Sequence, residues 1–185
     1  MGNGHDGAAN EIERRLVGAG WRVEIRDWLT ANPFVGARIE SSYRAQLDSA
    51  TWAYDLTYLV SHYLNRPIEA ACGATFGRRV CAWVREVAAD IVVSTYPLAS
   101  GTLSHLKRRG RLRIPVATFV TDFAAHSSWA HRGIDLHLAI HPLTAARLNR
   151  LVPHSRCVAC GPVVSDRFHA HPDRAEARLS LGLDP

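Results

Sequence analysis

Apolar residues near the start of the chain recur at helical spacing. Ala8, Ala9, Ile12, Leu16 and Val17 form one stripe, and Glu11, Glu13, Arg14 and Arg15 lie outside it. This pattern predicts an amphipathic helix over 6–19, stopped by Gly18 and Gly20. At residue 21 the period changes. Trp21, Val23 and Ile25 alternate with Arg22, Glu24 and Arg26, which predicts a half-buried strand over 21–27. Asn32-Pro33 then breaks the chain. Residues 41–64 read as mostly helical, with the aromatics Tyr43, Trp52, Tyr54, Tyr58 and Tyr63, and a further helix is expected over 68–89 despite Gly73 and Gly77.

Short β-branched runs and helices alternate beyond this point. Strands are predicted over 90–95, 114–120, 134–140 and 156–159. Helices are predicted from Pro97 toward 109, from Pro142 to 151, and over 173–181. Continuous apolar strands separated by helices indicate an α/β fold, a Rossmann-like parallel sheet covered on both faces. Ligands of such sheets bind beyond the carboxyl ends of the strands. The residues just after each strand are therefore the candidates for function.

Composition narrows the picture. The chain has 185 residues, 47% hydrophobic and 21% charged, which suits one folded domain and excludes a largely disordered chain. No run approaches the roughly 18–20 apolar residues of a membrane span. Met1–Asp6 has neither the basic nor the apolar part of a secretory leader. Basic residues number 22 against 17 acidic ones; Lys107 is the single lysine and the other 21 are arginines. Such a surface is either simply solvated or attracted to anionic phosphates. The one tight cluster, 107–111, is too short and lacks the interleaved aromatics of a nucleic-acid site. Cys157 and Cys160 form a single C-x-x-C pair. Structural zinc needs four ligands, and a redox pair sits at a helix N-terminus, whereas this pair lies in an apolar run. Buried strand cysteines, no metal, no cofactor and the reducing cytoplasm are the expectation.

Five groups of residues carry candidate chemistry. Gly2-Asn3-Gly4-His5 precedes the first helix, where glycines let backbone approach an anion. Gly2, Gly4 and Gly7 also match the spacing of a dinucleotide loop, with Glu24 and Asp27 at the distance of a ribose-holding carboxylate, so a nucleotide-binding Rossmann module stays open. Thr121-Asp122, with His126, Trp129 and His131, follows a predicted strand; Asp122 and His126 are placed to share a proton, and Trp129 to stack on a ligand or enter a lipid interface. Ser94-Thr95-Tyr96-Pro97 follows another strand. His137 and His141 form a fourth group, with His137 inside a strand and structural. The fifth is the aromatic stripe of Tyr54 and Tyr58, Trp52 and Leu56, and Leu59 and Tyr63, which suits a core face or a membrane surface.

Taken together, Gly2-x-Gly4-His5, Ser94-Thr95-Tyr96-Pro97 and Thr121-Asp122-Phe123 with His126, Trp129 and His131 resemble the N-terminal half of monogalactosyldiacylglycerol synthases. These, with the processive diacylglycerol glucosyltransferases, are MurG-like glycosyltransferases. The resemblance runs from Gly2 to about Arg167. It implies a GT-B enzyme that transfers a hexose from a UDP-sugar to diacylglycerol with inversion. It implies His5 and Asp122 as catalytic, and Gly2, Gly4, Thr95, Tyr96, His126, Trp129 and His131 as acceptor-binding. It places residues 1–168 as an acceptor domain, and 169–185 as a linker helix toward a donor-sugar domain outside this chain. The strand that opens the family's fold is also outside it, so this chain alone is expected to be inactive. The implied partners are the lipid acceptor, an anionic membrane surface and a UDP-sugar, with no nucleic acid. The implied location is the inner face of the plasma membrane, peripherally bound. A lipid-binding module without catalysis remains the competing expectation.

Overall fold

The computed structural model describes residues 3–49, 59–60, 63–165, 168 and 173–184. Four parallel strands form its sheet in the order β1 (Val92–Ser94), β2 (Val116–Val120), β3 (Leu136–Ala139) and β4 (Arg156–Ala159). The register pairs Val93 with Ala117, Phe119 with Leu138, and Leu138 with Val158. Every residue of β2 is buried, as a central parallel strand with both faces covered must be. The helices are α1 (Asn3–Gly18), α2 (Pro33–Ser49), α3 (Asn65–Val87), α4 (Pro97–Arg108), α5 (Pro142–Leu151) and α6 (Arg174–Ser180). The α/β expectation and the four strands over 90–159 are borne out.

Helix ends follow from local chemistry. Past α1, Gly20 takes φ +87°, with Gly20 N–H donating to Val17 O (2.9 Å) and Trp21 N–H to Leu16 O (3.0 Å). This is a Schellman stop, which glycine adopts without a Cβ penalty. Pro97 and Pro142 open α4 and α5, where a missing N–H costs nothing.

The helix predicted from 41 begins instead at Pro33. Asn32 Oδ1 accepts from Val35 N–H (3.3 Å) and its carbonyl from Gly36 N–H (2.8 Å), so Asn32-Pro33 starts a helix rather than only breaking the chain. The strand predicted over 21–27 is absent. The segment lacks any ladder partner among the described residues, and Trp21 and Ile25 remain 54% and 42% exposed. Alternation favours extended backbone, but a strand also requires an edge to pair with. Glu11 does not face solvent as its position implied. Arg14 and Arg15 cover it with bonds of 2.7–2.9 Å. Trp52, Tyr54, Leu56 and Tyr58, like Gly2, lie outside the described residues.

The core has two parts. Trp28, Phe76, Leu106, Val116 and Ile134 fill one, and Val120, Trp129, Ala139 and Leu148 the other. Gly73 and Gly77 do not weaken α3; they let it meet α4. A Cβ on Gly73 would lie 2.4 Å from the His105 ring, and one on Gly77 2.8 Å from Leu106 Cδ2.

Candidate active site

The first turn of α1 lies against the carboxyl end of β1. His5 Nδ1 is 2.7 Å from Thr95 O. A carbonyl only accepts, so Nδ1 carries the proton and donates, and in the neutral ring Nε2 holds the lone pair. Thr121 Oγ1 lies 3.2 Å from the same Nδ1. Tyr96 packs edge-on to the half-buried imidazole at 5.3 Å, and Trp129 tilts against it at 6.0 Å. Residues from after β1 and after β2 thus converge on a histidine from α1. Gly4 lies with His5 inside that helix rather than in a loop.

Asp122 is exposed just after β2, and its Oδ2 accepts from Trp129 Nε1–H at 2.7 Å. Trp129 has 0% exposure. It presents no ring face to a ligand or a lipid interface; it anchors the loop and orients the carboxylate. His126, also buried, caps the short turn Ser127–Trp129, with Nδ1 accepting from Ser128 N–H at 3.3 Å. Its Nδ1 therefore serves loop geometry. His131 is 3% exposed and donates from Nδ1 to Glu69 Oε2 at 3.2 Å. It braces the loop against α3 instead of lining the cleft.

Glu69 was not singled out from sequence. It is 4% exposed, and its Oε1 also accepts from Ser104 Oγ–H and from Arg108 Nη1–H, each at 3.1 Å. Burial pushes this carboxyl up, but hydrogen bonds from His131 and Ser104 and the charge of Arg108 outweigh it, and the net shift is downward. The signal was present. Glu69 lies on the same helical stripe as Cys72, Phe76, Val80 and Trp83, so a carboxylate there had to be buried and paired.

The other candidates have structural partners. Ser94 Oγ bonds to Tyr96 O (3.0 Å), and Ser100 Oγ links it to Thr118 Oγ1 through contacts of 3.0 and 2.7 Å. Burial pushes the Tyr96 hydroxyl above its ordinary pKa. His141 Nδ1 accepts from Leu143 N–H (3.1 Å) and caps α5. His137 is fully buried in β3, and burial pushes its pKa down to about 4. Within the basic cluster, Lys107 donates to Asp135 Oδ2 (2.6 Å) and Arg108 to Glu69, so these two brace the fold. Cys157 is half-buried, whereas Cys160 is exposed just beyond β4, contrary to the buried pair expected. No group of residues suited to a metal occurs among the described residues.

The sequence model for monogalactosyldiacylglycerol (MGDG) synthase matches residues 5–164. The chain belongs to the MGDG synthase family. Relatives named processive diacylglycerol beta-glucosyltransferase, from Bacillus cereus (strain 03BB102), Bacillus thuringiensis (strain Al Hakam) and Bacillus anthracis (strain A0248), are each 23% identical to it over 180 residues. Each match covers 90% of this chain and 44% of the relative, so the chain spans less than half the length of these curated relatives. The family resemblance read from the sequence is thereby confirmed. The dinucleotide loop is not supported, because Gly4 and Gly7 lie within α1. Among the described residues, no helix is long and apolar enough to cross a membrane.

Proposed function

We propose that this chain is the acceptor-binding half of an inverting glycosyltransferase that moves a hexose from a UDP-sugar to the hydroxyl of diacylglycerol. Residues 1–168 bind the acceptor, and 169–185 lead toward the domain that holds the donor. The observation that carries the reading is the His5 tautomer. With Nδ1–H spent on Thr95 O, Nε2 is the basic nitrogen, at the carboxyl end of the sheet. It takes the acceptor proton as the hydroxyl oxygen bonds to the anomeric carbon, and the UDP–carbon bond breaks on the opposite face. Asp122, oriented by Trp129, whose ring also packs against His5, is the carboxylate proposed to stabilise the resulting imidazolium. The names of the Bacillus relatives support the same acceptor and reaction.

Membrane contact has its own support. Leu59, Val60, Tyr63 and Leu64 are exposed, Tyr63 by 76%, and Arg66 follows them. Asn65 Nδ2 donates to Ser127 O (2.7 Å) and Ala130 O (3.3 Å), which joins this apolar group to the loop carrying Trp129. An apolar patch flanked by arginine suits the inner face of an anionic membrane, bound peripherally.

The test is sedimentation with phosphatidylglycerol vesicles, with and without diacylglycerol, followed by transfer from UDP-glucose after joining the chain to a relative's donor half. Binding that rises with diacylglycerol, and transfer that needs His5, support the reading. Binding indifferent to diacylglycerol overturns it, and binding with no transfer leaves a lipid-binding module instead.

A further inference from the structure

β2 runs further toward the carboxyl edge of the sheet than β1 does. Their register pairs Ser94, the last residue of β1, with Thr118, and β2 continues to Val120. The edge therefore has a step, with Thr95 at its foot and Thr121 at its top. His5, from the first turn of α1, enters that step and touches both residues. Its Nδ1 lies 2.7 Å from Thr95 O and 3.2 Å from Thr121 Oγ1.

Counting protons assigns a role to each of these atoms. If the Thr121 hydroxyl donated to Nδ1, that nitrogen would present a lone pair to a carbonyl oxygen at 2.7 Å, and two acceptors would face each other. The Nδ1 proton is therefore shared in a three-centre bond, with Thr95 O as its main acceptor and Thr121 Oγ1 as the second. The carboxylate of Asp122 is committed to Trp129 Nε1–H at 2.7 Å. Among the described residues, no carboxylate bonds to the imidazole, so both direct partners of Nδ1 are neutral oxygens.

The second acceptor adds two things that the carbonyl alone does not. A single N–H···O contact leaves the ring free to turn about that bond. An oxygen off the axis, with Tyr96 edge-on at 5.3 Å and Trp129 tilted at 6.0 Å, fixes the plane of the ring. Charge supplies the other. When Nε2 takes up a proton the ring becomes a cation, and a hydrogen bond from a charged donor is roughly twice as strong as a neutral one. Thr121 Oγ1 thus holds the protonated ring more tightly than the neutral ring. An interaction that strengthens as charge develops lowers the barrier to the step that develops it.

We infer that Thr121 is a positioning residue for the proposed transfer: its hydroxyl oxygen is the second acceptor of the His5 Nδ1–H, keeps the lone pair on Nε2, and stabilises the ring as it gains a proton. The inference rests on the proposed role of His5 as the base.

Two substitutions with opposite losses test it. Thr121→Val removes the hydroxyl and keeps the branched shape, whereas Thr121→Ser keeps the hydroxyl and loses the methyl. In this chain, labelled with 15N-histidine, the two ring-nitrogen shifts of neutral His5 report which nitrogen holds the proton. Wild type and Thr121→Ser are expected to show it on Nδ1. Thr121→Val is expected to draw the two shifts together, as the Nε2–H form gains population. In the enzyme joined to a donor half, Thr121→Val is expected to lower kcat about tenfold, the rate equivalent of one ordinary hydrogen bond, with KM unchanged. Thr121→Ser is expected to retain most of the activity. If Thr121→Val unfolds the chain, Thr121→Ala removes the hydroxyl without the bulk and gives the same two readouts.

Unmoved shifts in Thr121→Val overturn the inference. So does a larger loss of kcat in the serine variant than in the valine variant, which makes packing of the methyl the reason for Thr121. A rise in KM at constant kcat also overturns it, and makes Thr121 a contact of the acceptor lipid. A wild-type spectrum with the proton on Nε2 overturns this inference and the base role of His5 together. The spectra need neither lipid nor glycosyl transfer, so the Thr121 contact and the proposed function fail separately.

Discussion

The indole N–H of the fully buried Trp129 holds the carboxylate of the exposed Asp122 at 2.7 Å. A core residue thus aims a surface one. Trp129→Phe keeps an aromatic ring in the core but removes the N–H together with part of the indole, so it loses a hydrogen bond to a charged acceptor and leaves a small cavity. The expected cost is about 2–3 kcal/mol in denaturant unfolding, against about 3–5 kcal/mol for Trp129→Ala. A double-mutant cycle with Asp122→Ala isolates the bond. A coupling near zero would show that the two groups do not act together.

His5 is the residue on which the proposed chemistry turns. In the enzyme with its donor half, His5→Ala is expected to lower kcat by about a hundredfold. The imidazole is half-buried and makes one strong bond, so the expected stability change is only about 1 kcal/mol. Turnover and Tm measured on the same preparation separate the two effects. Unchanged turnover removes His5 from the mechanism.

Breaking the buried Glu69 network affects the fold rather than the chemistry. Glu69→Ala leaves His131 and Ser104 without their acceptor and Arg108 without its counter-charge. The expected loss is about 3 kcal/mol or more. Because the carboxyl is shifted downward, its contribution is complete above the ordinary carboxylate range and falls away as pH drops through its lowered value. Wild type should therefore lose stability in acid over that range, and Glu69→Ala should not show that part of the loss.

What the sequence disclosed, and what it withheld, divides along physical lines. β4 was read at its observed bounds, and α4 and α5 to within a residue, because a short apolar run and the helix-opening Pro97 and Pro142 are local signals. The segment 21–27 carried an equally clean alternation and is not a strand, since pairing is a long-range property that no local pattern contains. His5 was identified from its place before α1. The burial of His126, Trp129 and His131 was not, because burial depends on what Glu69 and the second core cluster bring from elsewhere. Residues after a strand were read as facing a ligand, and these three are instead buried and hold their own loop in place.

The helix glycines give opposing expectations from one contact surface. Gly→Ala inside a helix gains about 1 kcal/mol in propensity. At Gly73 the new Cβ would meet the Cβ, Cγ and Cδ2 of His105 at 2.4–2.8 Å. The root of that side chain cannot swing away, so overpacking of about 1–3 kcal/mol wins and Gly73→Ala destabilises. At Gly77 only the tip of Leu106 is close, at 2.8 Å. A small rotation relieves it, and Gly77→Ala should be nearly neutral. Thermal denaturation of the two variants orders them, and equal losses would contradict this account of the α3–α4 crossing.

His137 makes the stability of the fold depend on pH in a window of its own. It is buried in β3 with a pKa near 4, whereas in the unfolded chain it titrates at the ordinary histidine value of about 6.5. Between these values the unfolded chain binds a proton that the folded chain refuses. Stability therefore rises with pH across the window; it is complete above pH about 6.5 and is lost as pH falls toward 4. The full difference is on the order of 3 kcal/mol. His137→Leu removes the titrating group while keeping an apolar side chain in the strand. The unfolding free energy of that variant should be nearly flat between pH 6.5 and 4 once the carboxylate contribution, followed in Glu69→Ala, is subtracted. A wild-type curve equally flat in that interval would mean that the buried imidazole takes up its proton without opening the sheet.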